Sequence, residues 1–475
     1  MGANVSYQVT GEKAVKLQPT VDTSGNVQMV EMDEEDNSDY DAVVELIKRW
    51  ETQNDPEEHL SICFASITHL PPLPKTLKSL SIKGSSVKEI PEGVLPDSLE
   101  YLCVSHTPLT QLPTLPKNLK ELYAIETYCE TFPNLPPTLE KIVCFYTPLT
   151  SLPDLPEGLV ELNCNHGHIK KFPKLPSTLK ILEAEGCECE EVPDFPEGLE
   201  TLHIRLEKIE EWPTNLPESL KEMEIYCPLV KSIPSFPPNI EVLDLTWNTA
   251  LEIIPLLPPK LKKLEVSRSG LKTLPPILPD SLEFLDVSHS SLIELPPLPK
   301  SLKHLDVSYT PLTELPSLPN SLEDLSVSET PLTHLPELIS TSLTSLGLFD
   351  SKLEKIPELP ETLNSLWACR SSLKELPRLP KNLSRLVLKD SPLAEVYDED
   401  SKDDNKEWLE SFKRRHNALL AGEPEPNRIT WKQFLEWRKR KEKEAEFEKE
   451  LEQSESIIVD EEELVEVSKE DIQEE

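Results

Sequence analysis

The chain has 475 residues, with 47 prolines and 12 glycines, and its 86 acidic against 48 basic side chains give a formal charge of −38. Nucleic-acid phosphate and anionic lipid both repel such a surface, which argues against either as a broad partner. Two readings of the charge stay open: it keeps a long chain soluble, or it meets a partner with a basic face. High proline often marks disorder, but here proline recurs with leucine at a fixed spacing, which marks a repeat. No apolar stretch is long enough to span a bilayer, and no signal-peptide core follows Met1.

The opening Met1-Gly2-Ala3-Asn4-Val5-Ser6 carries the N-myristoylation signal, glycine after the initiator and serine at position six, so Gly2 is the expected lipidation site. It also resembles the start of the smallest capsid protein of enteroviruses, sharing Met1, Gly2, Ala3, Val5, Ser6, Gln8, Thr10 and Gly11. That protein is myristoylated, and the resemblance implies the same here. One myristoyl chain holds a membrane only marginally. Lys13 and Lys16 help, the acidic body opposes, and weak reversible attachment at the cytosolic membrane face is the expectation. Residues 1–37 lack apolar periodicity and are expected to be disordered.

Residues 38–59 read as a helical cap. Ser38 stands at the N-cap with Asp41 at the third helical position, and Val43, Val44, Ile47 and Trp50 share one face. From 60 to 396 the chain repeats every 20 to 22 residues. One unit runs Leu295-Pro-Pro-Leu298-Pro-Lys-Ser-Leu302-Lys-His-Leu305-Asp-Val307-Ser-Tyr-Thr310-Pro-Leu312. Leu305 and Val307 alternate with polar residues, the period of a strand. The proline-rich stretch that follows lacks donors and blocks a helix, so it returns in extended, polyproline-like form. Stacking such units gives a curved solenoid with a parallel ladder on its concave face, and no unit folds alone.

The nine cysteines form no Cys-x-x-Cys pair, Cys187 and Cys189 are the only close ones, and no histidine stands at metal-ligand spacing beside them. They read as reduced thiols in a cytosolic setting. No metal or cofactor is expected.

The residues between and beside the two core positions of each strand face the concave surface. The central column reads Glu183, His203, Glu224, Asp244, Glu265, Asp286 and Asp306. Stacked carboxylates repel one another, which points to a basic partner, the alternative being plain solvated strand positions. Tyr101, Tyr123, Val143 and Phe145 toward one end, and Phe349 and Trp367 toward the other, are expected to be exposed on the same face as anchors.

Residues 397–422 read as a second cap, with Trp408, Leu409, Phe412, His416 and Leu419 on one face of a helix from Glu407 to Leu420. In 423–475, Thr430 and Gln433 form a capping box and Ile429 with Phe434 a hydrophobic staple. Arg438 to Lys441 is a basic cluster that reads as a charged helix face or a nuclear-localisation signal. Ile457-Ile458-Val459-Asp460, followed by glutamates, resembles a SUMO-interacting motif, which adds a strand to its partner's sheet.

The Leu-Pro-x-Leu-Pro-x-x-Leu-x-x-Leu-x-Val repeat behind a short helix resembles the bacterial leucine-rich-repeat effectors delivered by type III secretion, the IpaH, SspH and YopM proteins. The resemblance covers about Ser38 to Val396. It implies a leucine-rich-repeat solenoid that acts inside a eukaryotic host cell. Two departures stand out. The usual turn asparagine is mostly Thr or Ser (Thr107, Thr147, Thr310, Thr330), Asn248 excepted, and the family's Cys-x-Asp ligase nucleophile is absent. The resemblance is therefore to the ligase-free, YopM-like branch, whose members are scaffolds and not enzymes. The resulting expectation is an effector that binds host proteins with a basic face, in the cytoplasm with access to the nucleus, and takes no small-molecule substrate. The alternatives are a ubiquitin-ligase relative with an unrecognised catalytic segment, and a viral or eukaryotic leucine-rich-repeat interaction protein. A small-ligand receptor would need a deep pocket that an open arc does not offer.

Overall fold

The computed structural model describes residues 6–10, 13–21, 27–31, 37–53, 59–393 and 406–421. Gly2, Thr430, Arg438 to Lys441 and Ile457 to Asp460 lie outside the described residues.

The N-terminal segment corrects one expectation. In place of disorder it contains three strands, β1 (Ser6–Thr10), β2 (Lys13–Val21) and β3 (Val27–Glu31), paired antiparallel in chain order. The reason is in the sequence: Val15, Leu17, Pro19 and Val21 alternate with Lys16, Gln18 and Thr20. That is a strand period, which a search for helical periodicity passes over.

Helix α1 (Asn37–Gln53) buries Tyr40, Val43, Ile47 and Trp50, while Val44 is only half-buried. Its Asp39 carboxylate accepts the Ser66 backbone N–H at 3.0 Å, which ties the helix to the first repeat.

Seventeen short strands follow, β4 (Leu60–Ser61) to β20 (Arg385–Val387), each paired in parallel with the next in chain order. The predicted core positions are the buried ones; Leu305 and Val307 are typical. The proline-rich returns are extended.

Two hydroxyl positions clip the repeats. The Ser or Thr just before the first core leucine donates to carbonyls of the preceding unit, as Thr138 does to Lys117 at 2.9 Å and Leu119 at 2.8 Å. The turn Thr or Ser donates back to the last core residue: Thr107 to Val104, Thr147 to Cys144 and Thr310 to Val307, each at 2.6 Å. Asn248 does more. It donates to Leu245 and Ile225 at 2.8 Å each and accepts from Cys227 N–H at 2.5 Å, so it spans two repeats. A lone hydroxyl offers one proton and satisfies only its own turn. That difference is the physical meaning of the replaced asparagine.

Most turns also hold one residue at positive φ, immediately before that Thr or Ser. His106, Tyr146, Trp247, Arg268, His289, Tyr309 and Arg370 all sit there. The position is strained for any side chain with a Cβ. Where the turn holds Gly186, an added Cβ would come within 2.9 Å of the His166 ring, so only glycine fits.

The second compact unit begins at Lys406. Helix α2 (Lys406–Leu420) buries Leu409, Phe412 and His416, and the Phe412 and His416 rings stack at 5.8 Å. The side chains of Trp408 and Leu419 lie outside the described residues.

Candidate interaction face

The ladder register brings the predicted central column together. Glu183 pairs with His203, His203 with Glu224, Glu224 with Asp244, Asp244 with Glu265, Glu265 with Asp286, and Asp286 with Asp306. All are half-buried on the sheet face. Adjacent strands lie about 4.8 Å apart, so these side chains are direct neighbours.

Crowding shows in their acidity. Burial pushes the Glu224 carboxyl up to about 7, with Glu185 and Asp244 adding repulsion. Burial also raises Glu183, with Glu161 and Glu185 adding to it. Glu265 is raised by burial and by Asp244, against the pull of Lys263 at 3.0 Å. Asp306 is raised by burial and by Asp286. Among the described residues, no Lys or Arg forms an ion pair with Glu183, Glu224, Asp244, Asp286 or Asp306.

Three of the aspartates also have a local structural task. Asp244, Asp286 and Asp306 accept the backbone N–H two residues on, from Thr246 at 2.7 Å and from Ser288 and Ser308 at 2.8 Å. Such side-chain turns explain why the column prefers Asp where the strand gives way to the turn. One oxygen of each carboxylate is committed and the other is available.

The aromatic anchors are less free than expected. Tyr101 and Tyr123 are half-buried and pack on each other at 5.2 Å, and His59 meets Tyr101 edge-on at 5.4 Å. Tyr123 donates its hydroxyl to Glu121 at 3.1 Å and lies under the Lys141 ammonium. Val143, expected on the surface, is buried in the row between Tyr123 and Asn163. Phe145 and Phe349 are half-buried, and Arg370 covers the Phe349 ring. Trp367 is the exposed member, with Arg385 over its ring at 5.0 Å. These rings lie along the ladder because neighbours repeat at strand spacing.

Several strongly exposed aromatics lie instead in the positive-φ column beside the sheet. Tyr146 is 54% exposed and stacks on His166 at 4.4 Å. Trp247 is 52% exposed under Arg268 at 4.4 Å, and Tyr309 stacks on His289 at 4.0 Å. Sequence reasoning missed this column. The signal was the bulky residue one place before the turn threonine, which has no hydrophobic period of its own.

That column is interrupted. β10 (Ile181–Ala184) is followed by the two longest strands of the ladder, β11 (Thr201–Arg205) and β12 (Glu222–Tyr226), and then by β13 (Val242–Asp244). No positive-φ residue occurs between Gly186 and Trp247 among the described residues. A cavity of about 570 Å³ opens there, walled by His166, Glu185, Glu224, Asp244, Tyr226 and Trp247.

Burial raises the Cys129 and Cys189 thiols, Cys189 to about 12, and seven of the nine cysteines are buried and unpaired. Raised thiols such as Cys129 and Cys189 are poor nucleophiles, whereas the hydrogen bond with Cys164 lowers Cys187.

No protein family and no curated protein matches the chain. Solved structures do. YopM from Yersinia enterocolitica is 29% identical, with 74% of this chain and 90% of that one covered at a TM-score of 0.50. YopM from Yersinia pestis, described as a leucine-rich effector protein, is 28% identical, with coverage of 75% and 95% and a TM-score of 0.51. A leucine-rich-repeat protein of Leptospira interrogans, 22% identical over 79% of this chain and 97% of its own, shares the fold at 0.51. The chain is thus a parallel leucine-rich-repeat solenoid of YopM-like build.

Proposed function

We propose that this YopM-like solenoid is an effector scaffold that binds a protein with a basic face inside a eukaryotic host cell, without catalysing a reaction. The observation that carries this reading is the central column. Carboxylates on neighbouring strands stand in register, Glu224, Glu265 and Asp306 are raised by burial and by their neighbours' charge, and among the described residues only Glu265 has a lysine partner. A basic surface docking there relieves that repulsion as it binds, which favours specificity and fast association. The likeness to a leucine-rich effector supports the same reading.

The test is affinity capture from host-cell lysate with wild type beside a variant carrying Asp244→Lys, Glu265→Lys, Asp286→Lys and Asp306→Lys. Each captured protein is then made pure and titrated at two salt concentrations. A partner that binds wild type, loses affinity as salt rises, and fails to bind the variant supports the acidic face. Equal binding by both proteins removes it.

Two attachments complete the proposal. Gly2 takes a myristoyl group, read by acyl transfer to wild type and none to Gly2→Ala. Ile457, Ile458, Val459 and Asp460 bind SUMO, read by titration with a peptide of that segment. A ubiquitin-discharge assay is expected to show no turnover.

A further inference from the structure

The interruption at β10–β12 gathers His203 and Glu224 of the central column with Glu185, which that column does not contain. Glu185, His203 and Glu224 come from three successive repeats. One ligand-type atom of each lies within 4.8 Å of the other two. All three are half-buried on the sheet face, and Glu185 and Glu224 wall the 570 Å³ cavity beside it.

The histidine separates this group from the rest of the acidic column. Its Nδ1 faces Glu185 Oε1 at 3.6 Å. Its Nε2 faces Glu222 Oε1 at 3.4 Å, from the opposite side. A ring that gives its Nε2 proton to Glu222 presents the Nδ1 lone pair toward Glu185 and Glu224. A carboxylate on the far nitrogen is the usual support of a metal-ligating imidazole, because it fixes tautomer and ring orientation. Ligand atoms on a tetrahedral ion with bonds of about 2.0–2.1 Å stand roughly 3.4 Å apart. Rotation of two glutamate side chains into the open cavity covers the remaining distance without moving the strands.

We infer that Glu185, His203 and Glu224 form a binding site for one divalent transition-metal ion of the zinc class, with Glu222 as the positioning residue for His203. An imidazole with two carboxylates suits zinc and its neighbours. Magnesium and calcium take oxygen donors alone. Three protein ligands leave a coordination position open toward the cavity, where water or a side chain of a docked protein can enter. The site shares His203 and Glu224 with the partner-binding column, but none of its residues is altered in the four-lysine variant above, so the two tests fail separately.

The test uses the full chain, free of any affinity tag, titrated with Zn²⁺ by calorimetry and with Co²⁺ by absorption. The expected result is one equivalent bound. His203→Ala, Glu185→Gln and Glu224→Gln should each weaken it at least about tenfold, and Glu222→Gln should weaken it less, in line with the loss of a supporting carboxylate. Cys63→Ser and Cys369→Ser, which alter the two cysteines that are not buried, should leave binding unchanged. The cobalt spectrum should lack thiolate-to-metal charge transfer, and excess Mg²⁺ should not displace the ion. Circular dichroism of each variant guards against misfolding; with three ligand variants in three repeats, at least one folded variant decides the matter. Absence of Zn²⁺ binding by wild type, a thiolate signature, or unchanged affinity in folded ligand variants would overturn the assignment.

Discussion

Two columns of charge run along this ladder, three residues of backbone apart in origin and opposite in design. In the loop just before each strand, the sign alternates from repeat to repeat: Lys78, Glu100, Lys120, then Lys180, Glu200, Lys221, Glu241, Lys262, Glu283, Lys303. Each residue finds an opposite charge one repeat away, as Lys120 does on Glu100 at 2.7 Å, Lys221 on Glu200 at 2.5 Å and Lys303 on Glu283 at 2.6 Å. Lysines accordingly hold Glu200 and Glu283 below the usual carboxylate range. The carboxylates of the central column share one sign, and burial pushes Glu183, Glu224, Glu265 and Asp306 up. The first column spends its charge within the molecule. The second holds charge that only something outside the chain can balance. The difference separates solubilising charge from recognising charge better than the net −38 does.

The acidic column survives its repulsion because the backbone beneath it is braced, and the brace is where the largest effect is expected. Asn248→Ala removes three hydrogen bonds across the repeats that carry Glu224 and Asp244, leaving Cys227 N–H and Ile225 C=O buried without that partner. The expected loss is about 2–3 kcal/mol in urea unfolding, against about 1 kcal/mol for Thr310→Ala, which loses one bond within its own turn. Equal losses would mean that the asparagine is only another turn residue.

Neutralising the column should act in the other direction. Glu224→Gln, Glu265→Gln, Asp286→Asn and Asp306→Asn together keep the shapes and remove the charge. Glu224, Glu265 and Asp306 are raised in the folded chain, so there the native state binds protons more readily than the unfolded one. Their penalty is present above the folded value and fades as pH falls; for Glu224 the window runs from about 7 down to 4.5. Discounted for partial exposure, the combined gain at pH 8 is about 1–2 kcal/mol, and it should vanish near pH 4. Unfolding midpoints at both pH values, in chelating buffer, check this. A gain that persists at low pH would place its cause in packing.

Salt should sharpen the same contrast more gently. Raising ionic strength from about 0.01 M to about 0.15 M shortens the screening length from about 30 Å to about 8 Å. The wild-type midpoint should rise by a degree or so on the size scaling of unfolding entropy, and the neutralised variant should stay put or fall slightly.

Much of this was legible in the sequence because a solenoid turns spacing into position. Once Leu305 and Val307 are assigned inward, every residue between such a pair must form one column, and Glu183 to Asp306 follow. What was not legible depends on contacts between columns. Whether Tyr101 stands free or lies on Tyr123 is decided by ring packing that spacing does not encode, and Val143 is buried by its two row neighbours. Glu185 lies in a different column from His203, and the two meet beside the long strands β11 and β12, where no positive-φ residue occurs between Gly186 and Trp247 among the described residues. A break in the repeat is visible in sequence as an irregular unit; the donor set it assembles is not. The alternation in β2 was visible and points to a strand, but a search for helical faces does not count it.

The smallest effect is also the sharpest check on the two-column account. Glu241→Lys places three lysines in a row with Lys221 and Lys262 and breaks the 2.6 Å pair with Lys262. The side chain is more than a third exposed, so solvent screens both the lost attraction and the new repulsion. The unfolding midpoint should stay within error of wild type at physiological salt and fall only at low salt. Partner capture should also be unchanged, because the alternating column faces no partner in this account. Asp244→Lys, three residues away on β13, reverses one charge as well and should weaken capture. If Glu241→Lys weakens capture as much as Asp244→Lys does, net charge and not column identity governs recognition, and the distinction between the two columns fails.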